Sequence, residues 1–295
     1  MSGSGGVVAV REAVLRSVLG ATRSEILNSG WADESPALLR DLSASLAGAL
    51  DAVKADAGDE AGRSVDYARL AGSVAYATYR RLTPRLHSLN LAHIMTRHER
   101  LTFWLNLYNG LIIDGVISYG VRRSIRRMRL GAFAFFRRAA YDVGAMRFSC
   151  EDIEHGVLRA NRGHPRLPGP QFGAADPRKP GIIDPMDARI HFALNRGSRS
   201  CPPIAVYRED GVDAQLTLAT RNALNQAVVL DAERRALRVP RVFRWFAGDF
   251  GGRPGVIAFL MHYLPNDERR AWLELQGSRA RLRYQRFDWS LNAPG

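Results

Sequence analysis

Two asparagines three residues apart, Asn106 and Asn109, sit inside the apolar run FWLNLYNG at residues 103–110. On a helix they share one face. A buried amide has to find partners for its donors and its acceptor. Two on one apolar helix therefore imply a polar network or a pocket, in which they orient a substrate or stabilise an oxyanion. The competing reading is that they satisfy irregular backbone inside the fold. A second constellation, SCEDIEHGVLR at 149–159, places His155 beside Glu154. An imidazole next to a carboxylate is suited to general acid or base work near neutral pH. Cys150 follows a natural N-cap, where a helix dipole favours thiolate. The third, IHFALNRGSRSCPPIAVY at 190–207, puts His191 on an expected strand, Asn195 at its end and Cys201 in the next loop. A thiol near a histidine is the minimal set for nucleophilic catalysis.

Together these residues describe an Asn/His-lined polar pocket. His155 is the expected acid/base, Cys201 the nucleophile and His191 its base, with Asn106, Asn109, Glu154 and Asn195 around the substrate. The chemistry would be of hydrolase or acyl-transfer type on a small polar or peptide-like molecule. The sequence holds no P-loop lysine motif, no GxGxxG, no HExxH, no CxxC pair and no GxSxG elbow, so no cofactor or metal is expected. His87, His93 and His98 do not share a helical face well and read as surface residues around a loop.

The elements that must position these groups are mixed. Ser35–Val53 places leucines and small apolar residues at spacings of three and four, and a second helix is expected over Ser64–Leu82 before Pro84. A core helix follows over 101–119. YDVGAMRF reads as a hairpin about Gly144, and Ser149 with Asp152 caps a helix from Cys150 to Asn161. Gly163–Asp187 is a long Pro- and Gly-rich connection, the kind that often serves as a lid or binding loop. DARIHFALN and IAVY read as strands, Asp213–Gln226 as a helix, and VVLDAERRALRVP as two strands about a turn. VFRWFAGDFG and PGVIAFLMHYLP read as helices stopped by Gly251-Gly252, and LRYQRFDWSLN as a final strand. The expected fold is α+β: a helical N-terminal part at 1–95, then a mixed helix and short-strand domain at 96–295 with a small, mainly antiparallel sheet.

The 295 residues carry 42 basic and 29 acidic groups, net +13. Lys54 and Lys179 are the only lysines, so the basic excess is arginine, as a GC-rich coding sequence would also produce. A hydrophobic fraction of 46% excludes a disordered or collagen-like chain, and two cysteines exclude a disulfide scaffold. No start of signal-peptide type and no spanning apolar stretch is present, so a cytoplasmic location is expected. Residues 122–138 contain seven arginines interleaved with Ile125, Met128, Phe133, Phe135 and Phe136. The alternative reading of the whole chain is thus a non-catalytic interaction module, whose Arg-rich surface binds a protein partner, nucleic acid or an anionic membrane.

The motifs FWLNLYNG, SCEDIEHGVLR, HFALNRGSRSCPP and FDWSLN, in that order, resemble the family catalogued as domain of unknown function 547. The resemblance spans roughly 80–292 and rests on Trp104, Asn106, Tyr108, Asn109, Glu154, His155, Asn195, Gly197, Ser200, Cys201 and Pro202. It implies a mixed α+β domain with no settled activity. Where the family commonly has Asn-Cys-Gly, this chain has Asn195-Arg196-Gly197, so a local dithiol is absent here. The resemblance therefore shifts weight from the thiol to Asn106, Asn109 and His155.

Overall fold

The computed structural model describes residues 3–19, 25–30, 39–58, 63–91, 96–127 and 131–294. It divides into two compact units. The first comprises residues 1–186, 194–212 and 289–295; the second comprises 187–193 and 213–288. The boundary expected near residue 95 falls inside the first unit. No helix among the described residues is long and apolar enough to cross a membrane.

The first unit begins with helices α1 (Gly3–Leu19), α2 (Leu39–Asp56), α3 (Tyr67–Ala71) and α4 (Val74–Leu82). The start of the expected 35–53 helix, residues 35–38, lies outside the described residues. The single helix expected over 64–82 is instead broken at Gly72-Ser73, because the Ser73 hydroxyl accepts from the Tyr76 N–H and starts a new helix. The chain passes Pro84 as a 3-10 turn, Thr83–Ser88.

Helix α5 (Arg97–Ser118) organises the unit. Thr96 and Glu99 form a reciprocal capping box at its start. Every residue from Leu101 to Val116 is buried. An all-round buried helix has no solvent face on which to place polar groups, so each must be satisfied by protein. Asp114 shows how: its carboxylate accepts from the Tyr76 hydroxyl at 2.6 Å, Arg80 at 2.6 Å, the Tyr141 hydroxyl at 2.7 Å and Ser118 at 3.0 Å.

After α6 (Gly131–Arg138), strands β1 (Ala140–Val143) and β2 (Met146–Ser149) form the expected hairpin, with Val143 opposite Met146. Gly144 and Ala145 both adopt φ near +60°, as a two-residue hairpin turn of matching twist requires. A Cβ on Gly144 would also lie 2.5 Å from the Leu89 carbonyl oxygen. Ser149 caps the next helix as expected, exchanging hydrogen bonds with Asp152. That helix is not α, however: after one turn it is a π-helix, Asp152–Leu158, and Arg159 and Asn161 donate to carbonyls five residues back. Such widened turns are rare and are frequently found at functional sites. The long connection after it contains only turns and one 3-10 segment, Lys179–Gly181.

In the second unit, α7 (Val212–Ala227, whose first residue belongs to the first unit) precedes β3 (Val229–Asp231) and β4 (Ala236–Val239). Helices α8 (Val242–Trp245), α9 (Gly252–Tyr263) and α10 (Glu268–Gln276) and strand β5 (Leu282–Tyr284) complete it. β3 and β4 are antiparallel, and β5 joins β4 in parallel. The final strand is thus only three residues of the expected stretch. The core is aromatic-rich, with Phe192, Phe243, Phe246 and Phe250 packed on Leu237, Ile257 and Leu260. The α+β class holds. Two expected strands do not form: Ala188–Phe192 is a 3-10 helix, started by Asp187 accepting from the Arg189 N–H, and Ile204–Tyr207 is extended but lies in no sheet.

Removing the Asp114 carboxylate strands a guanidinium and two buried phenols at once. Asp114→Ala is expected to cost about 3–5 kcal/mol of stability, and Tyr141→Phe about 1 kcal/mol. Urea denaturation of the two variants checks this; equal midpoints for Asp114→Ala and the parent would show that the carboxylate does not hold these segments together.

Candidate functional site

The asparagines of α5 are spent on backbone. Asn106 donates to the Tyr207 carbonyl at 2.9 Å and accepts from the Tyr207 N–H at 2.8 Å, the pair of bonds that a neighbouring strand would supply. Asn109 accepts from the Asn195 N–H at 3.0 Å and donates to the Ala205 carbonyl at 3.4 Å. Asn195 in turn donates to the Pro202 carbonyl and accepts from the Gly197 N–H. The segment 204–207 therefore needs no sheet, because side-chain amides are its partners.

Glu154 and His155 face a different set of groups. Glu154 accepts from the Tyr108 hydroxyl at 3.0 Å and from both Nε (3.2 Å) and an Nη (2.5 Å) of Arg196. The position where the chain departs from Asn-Cys-Gly thus holds this carboxylate. His155 accepts at Nδ1 from Arg159 at 2.9 Å, and its Nε2 lies 3.7 Å from Glu151 Oε2. The His164 ring meets the His155 ring edge-on, 5.1 Å between centroids. The contacts above take Asn106 and Asn109 to the backbone at 195–207, and His155 to Arg159, Glu151 and His164. Gly156 is obligatory here: a Cβ would fall 2.2 Å from the Phe172 ring.

Glu151, His155 and His164 form a cluster whose candidate ligand atoms lie within 4.8 Å of one another. One carboxylate with two imidazoles is a donor set that zinc accepts. The polarity of the surroundings argues against that use. A metal-bound imidazole donates its second N–H to an acceptor. Here Nδ1 of His155 accepts from a guanidinium and Nδ1 of His164 accepts from the Arg166 N–H, so both neutral rings carry their proton on Nε2. Burial, reinforced by Glu154, pushes the Glu151 carboxyl up to about 8. Burial holds His155 well below its ordinary value and brings His164 down to about 4. The Oε2 atom of Glu151 is buried with no hydrogen-bond partner among the described residues. The cluster is a neutral acid beside two neutral imidazoles.

The thiols are not activated. Cys201 Sγ accepts from the Arg196 N–H at 3.2 Å, and burial raises its pKa in spite of the nearby guanidinium. Burial, with Glu151 and Glu154 alongside, raises Cys150 well above the usual thiol range, which overrides the expected dipole effect. His191 is on a 3-10 helix of the second unit, whereas Cys201 belongs to the first. Its Nε2 is 2.8 Å from Asp249, and its ring stacks on Phe246 at 4.2 Å. The basic stretch does not expose its aromatics either. Ile125, Phe135 and Phe136 are buried and Phe133 is half-buried. Arg137 pairs with Glu12, and Arg138 with Glu25. Residues 128–130 of this stretch, and His93, lie outside the described residues.

Sequence reasoning missed an open cleft of about 480 Å³ in the first unit. Its wall is the N-terminal end of α5 (His98, Glu99, Thr102), one face of α2 (Arg40, Ser43, Ala44, Ala47) and the turn Tyr207–Asp210. Tyr207 and Thr102 are among its lining residues, and the buried hydroxyl of each has no hydrogen-bond partner among the described residues. Burial holds the Tyr207 phenol well above its ordinary range, so it stays a neutral donor and acceptor. A signal for this cleft was present: His98, Thr102, Asn106 and Asn109 follow at intervals of four, four and three, a polar stripe along an apolar helix.

Residues 92–223 match the family described as Protein of unknown function, DUF547, which is the family the motifs resemble. The matched region covers Asn106, Asn109, Glu154, His155, Cys201 and the cleft residues of α5 and 207–210, but not α2. No curated protein and no solved structure matches the chain.

The buried cluster sets a pH dependence of stability. The Glu151 carboxyl titrates near 4.5 when unfolded and near 8 when folded, so folding takes up a proton and stability is lost as pH rises between them. The imidazoles act oppositely: their pKa falls below 6.5 on folding, so stability is lost as pH drops below 6.5. The three groups together favour folding most near pH 6.5. In Glu151→Gln the decline between pH 6.5 and 8 should flatten while the acid-side decline remains. Urea midpoints measured across this range test it, and an undiminished decline in the variant would remove Glu151 as its source.

Proposed function

We propose that this chain, whose family carries no assigned activity, is a binding domain for a small polar molecule taken up in the cleft between α2, α5 and the 207–210 turn. One observation carries the reading. Two residues that line a ligand-sized space, Tyr207 and Thr102, are 1% and 6% exposed, and their hydroxyls have no hydrogen-bond partner among the described residues. Leaving a buried hydroxyl unsatisfied costs on the order of 1–3 kcal/mol, a cost that a ligand relieves. The volume is within the usual range for small-molecule sites, roughly 300–1,000 Å³. The Asn106 amide supports the same reading, since it holds both backbone groups of Tyr207 and so fixes where the phenol stands. A protonated Cys201 and a separately partnered His191 give no comparable support to acyl transfer.

The reading makes an unusual stability prediction. A hydroxyl with no partner contributes nothing when removed, so Tyr207→Phe and Thr102→Val should leave urea stability within about 0.5 kcal/mol of the parent, or raise it. The same substitutions should weaken any ligand found by thermal-shift screening with amino acids, short peptides, sugars and nucleosides by about tenfold each. A loss of more than about 1 kcal/mol in Tyr207→Phe would mean the phenol is already bonded within the protein, and the proposal would fall.

A further inference from the structure

We infer that the ligand of this cleft is a zwitterion, namely a free amino acid or a short peptide with both ends free; this rests on the cleft being the binding site. The chain as a whole is at +13, yet the cleft carries two arginines, Arg40 and Arg208, against three carboxylates, Glu99, Glu209 and Asp210. The local balance is acidic on a basic protein. A polyanion such as nucleic acid would bring phosphates against those carboxylates and lose the attraction that the rest of the surface offers. A polycation would meet the arginines. Only a molecule with both signs a few ångströms apart answers both sets.

The rim groups are also replaceable. Arg40 meets Glu99 at 2.9 Å but Glu209 only at 3.8 Å, and it is 70% exposed. Arg208 pairs with Asp51, both about half exposed. Such exposed pairs are screened by solvent and weak, so a ligand carboxylate can take a guanidinium from its present partner at little cost. Glu99 is committed, with one oxygen to Arg40 and the other to the Thr96 N–H. That leaves Glu209 and Asp210 for an ammonium group. They follow Tyr207 and Arg208 in the chain and line the same cleft, so the ammonium would be held in the space that Tyr207 and Thr102 also border. The Tyr207 and Thr102 hydroxyls then serve the uncharged polar part, an amide or a side-chain hydroxyl, while Ala44 and Ala47 offer a small apolar surface.

Isothermal titration of the full chain with the amino acids and with trialanine in four forms tests this. The forms are free, N-acetylated, C-amidated and blocked at both ends. The free form is expected to bind, each block to cost about tenfold, and the doubly blocked form to lose about a hundredfold. Arg208→Ala should weaken the free and N-acetylated forms, and Asp210→Asn the free and C-amidated forms. Blocked trialanine binding as tightly as the free form overturns the zwitterion assignment. So does competition by inorganic phosphate or single-stranded RNA, or no binding of any free-ended probe up to about 10 mM, beyond the weak end of specific affinity. If a blocked or neutral probe binds and Tyr207→Phe or Thr102→Val weakens it, the cleft remains the site and only the ligand class is wrong. If Tyr207→Phe instead destabilises the protein and no probe binds, both readings fail.

Discussion

A helix buried on every side can keep a polar side chain only if some other part of the protein comes to meet it. Sixteen consecutive residues of α5 are buried, and its polar groups act as docking points for chain that is otherwise irregular. Asp114 gathers α4 and β1 through Tyr76, Arg80 and Tyr141. Asn109 holds the turn at Asn195 and the extended chain at Ala205, and Asn106 holds Tyr207. Tyr108, on another face, reaches Glu154 of the π-helix. The burial that makes α5 a core element also makes the cost of each unmet polar group high. Among the described residues, the Thr102 hydroxyl at the end nearest the cleft and the Trp104 indole N–H have no hydrogen-bond partner, nor has the phenol that Asn106 positions.

Arginine does for the long connections what asparagine does for α5. Arg11 donates to the carbonyls of Pro168, Pro170 and Gln171, and Arg147 to those of Glu25, Arg137 and Arg138. Arg159 spans His155 and Gly163, and Arg178 bonds Asp176 while its guanidinium lies over the Phe172 ring at 4.3 Å. A planar fork of five donors can satisfy several carbonyls of an irregular loop at once, which an ammonium does less well. These arginines are therefore structural, each tied to the chain around it. The stretch 122–138 follows the same rule, with its phenylalanines turned inward and two of its arginines paired with Glu12 and Glu25.

What was legible in the sequence is what short-range chemistry decides. The α5 helix, the Gly144 hairpin, the Ser149–Asp152 cap, the β3–β4 turn and the Gly251-Gly252 stop all follow from neighbours a few residues away. The failures have local causes that compete with pattern. DARIHFALN alternates like a strand, but Asp187 captures the Arg189 N–H and coils it. IAVY has strand composition, yet its partners are two amides about a hundred residues earlier, so it joins no sheet. The widening of the 150–161 helix into a π-helix, with the Phe172 ring packed where a Cβ of Gly156 would stand, is not revealed by periodicity. The asparagines and His155 are buried polar groups. Residue type alone cannot say whether such a group serves backbone or ligand, and for both asparagines it serves backbone.

The step from fold to function then runs through a pairing that sequence separation hides. Asn106 and Tyr207 are bonded across an interval of 101 residues, through both backbone groups of the tyrosine. A single side chain fixing N–H and C=O together sets the direction in which the Tyr207 ring leaves the backbone. The place of the Tyr207 ring is thus inherited from the interior of α5 rather than from the surface turn that carries it. Loops supply binding groups but seldom hold them rigidly, and a site is precise to the extent that rigid elements position its parts. Here the rigid element contributes Thr102 directly and Tyr207 by proxy. The Asn106 amide acts on the proposed cleft only through the backbone of Tyr207.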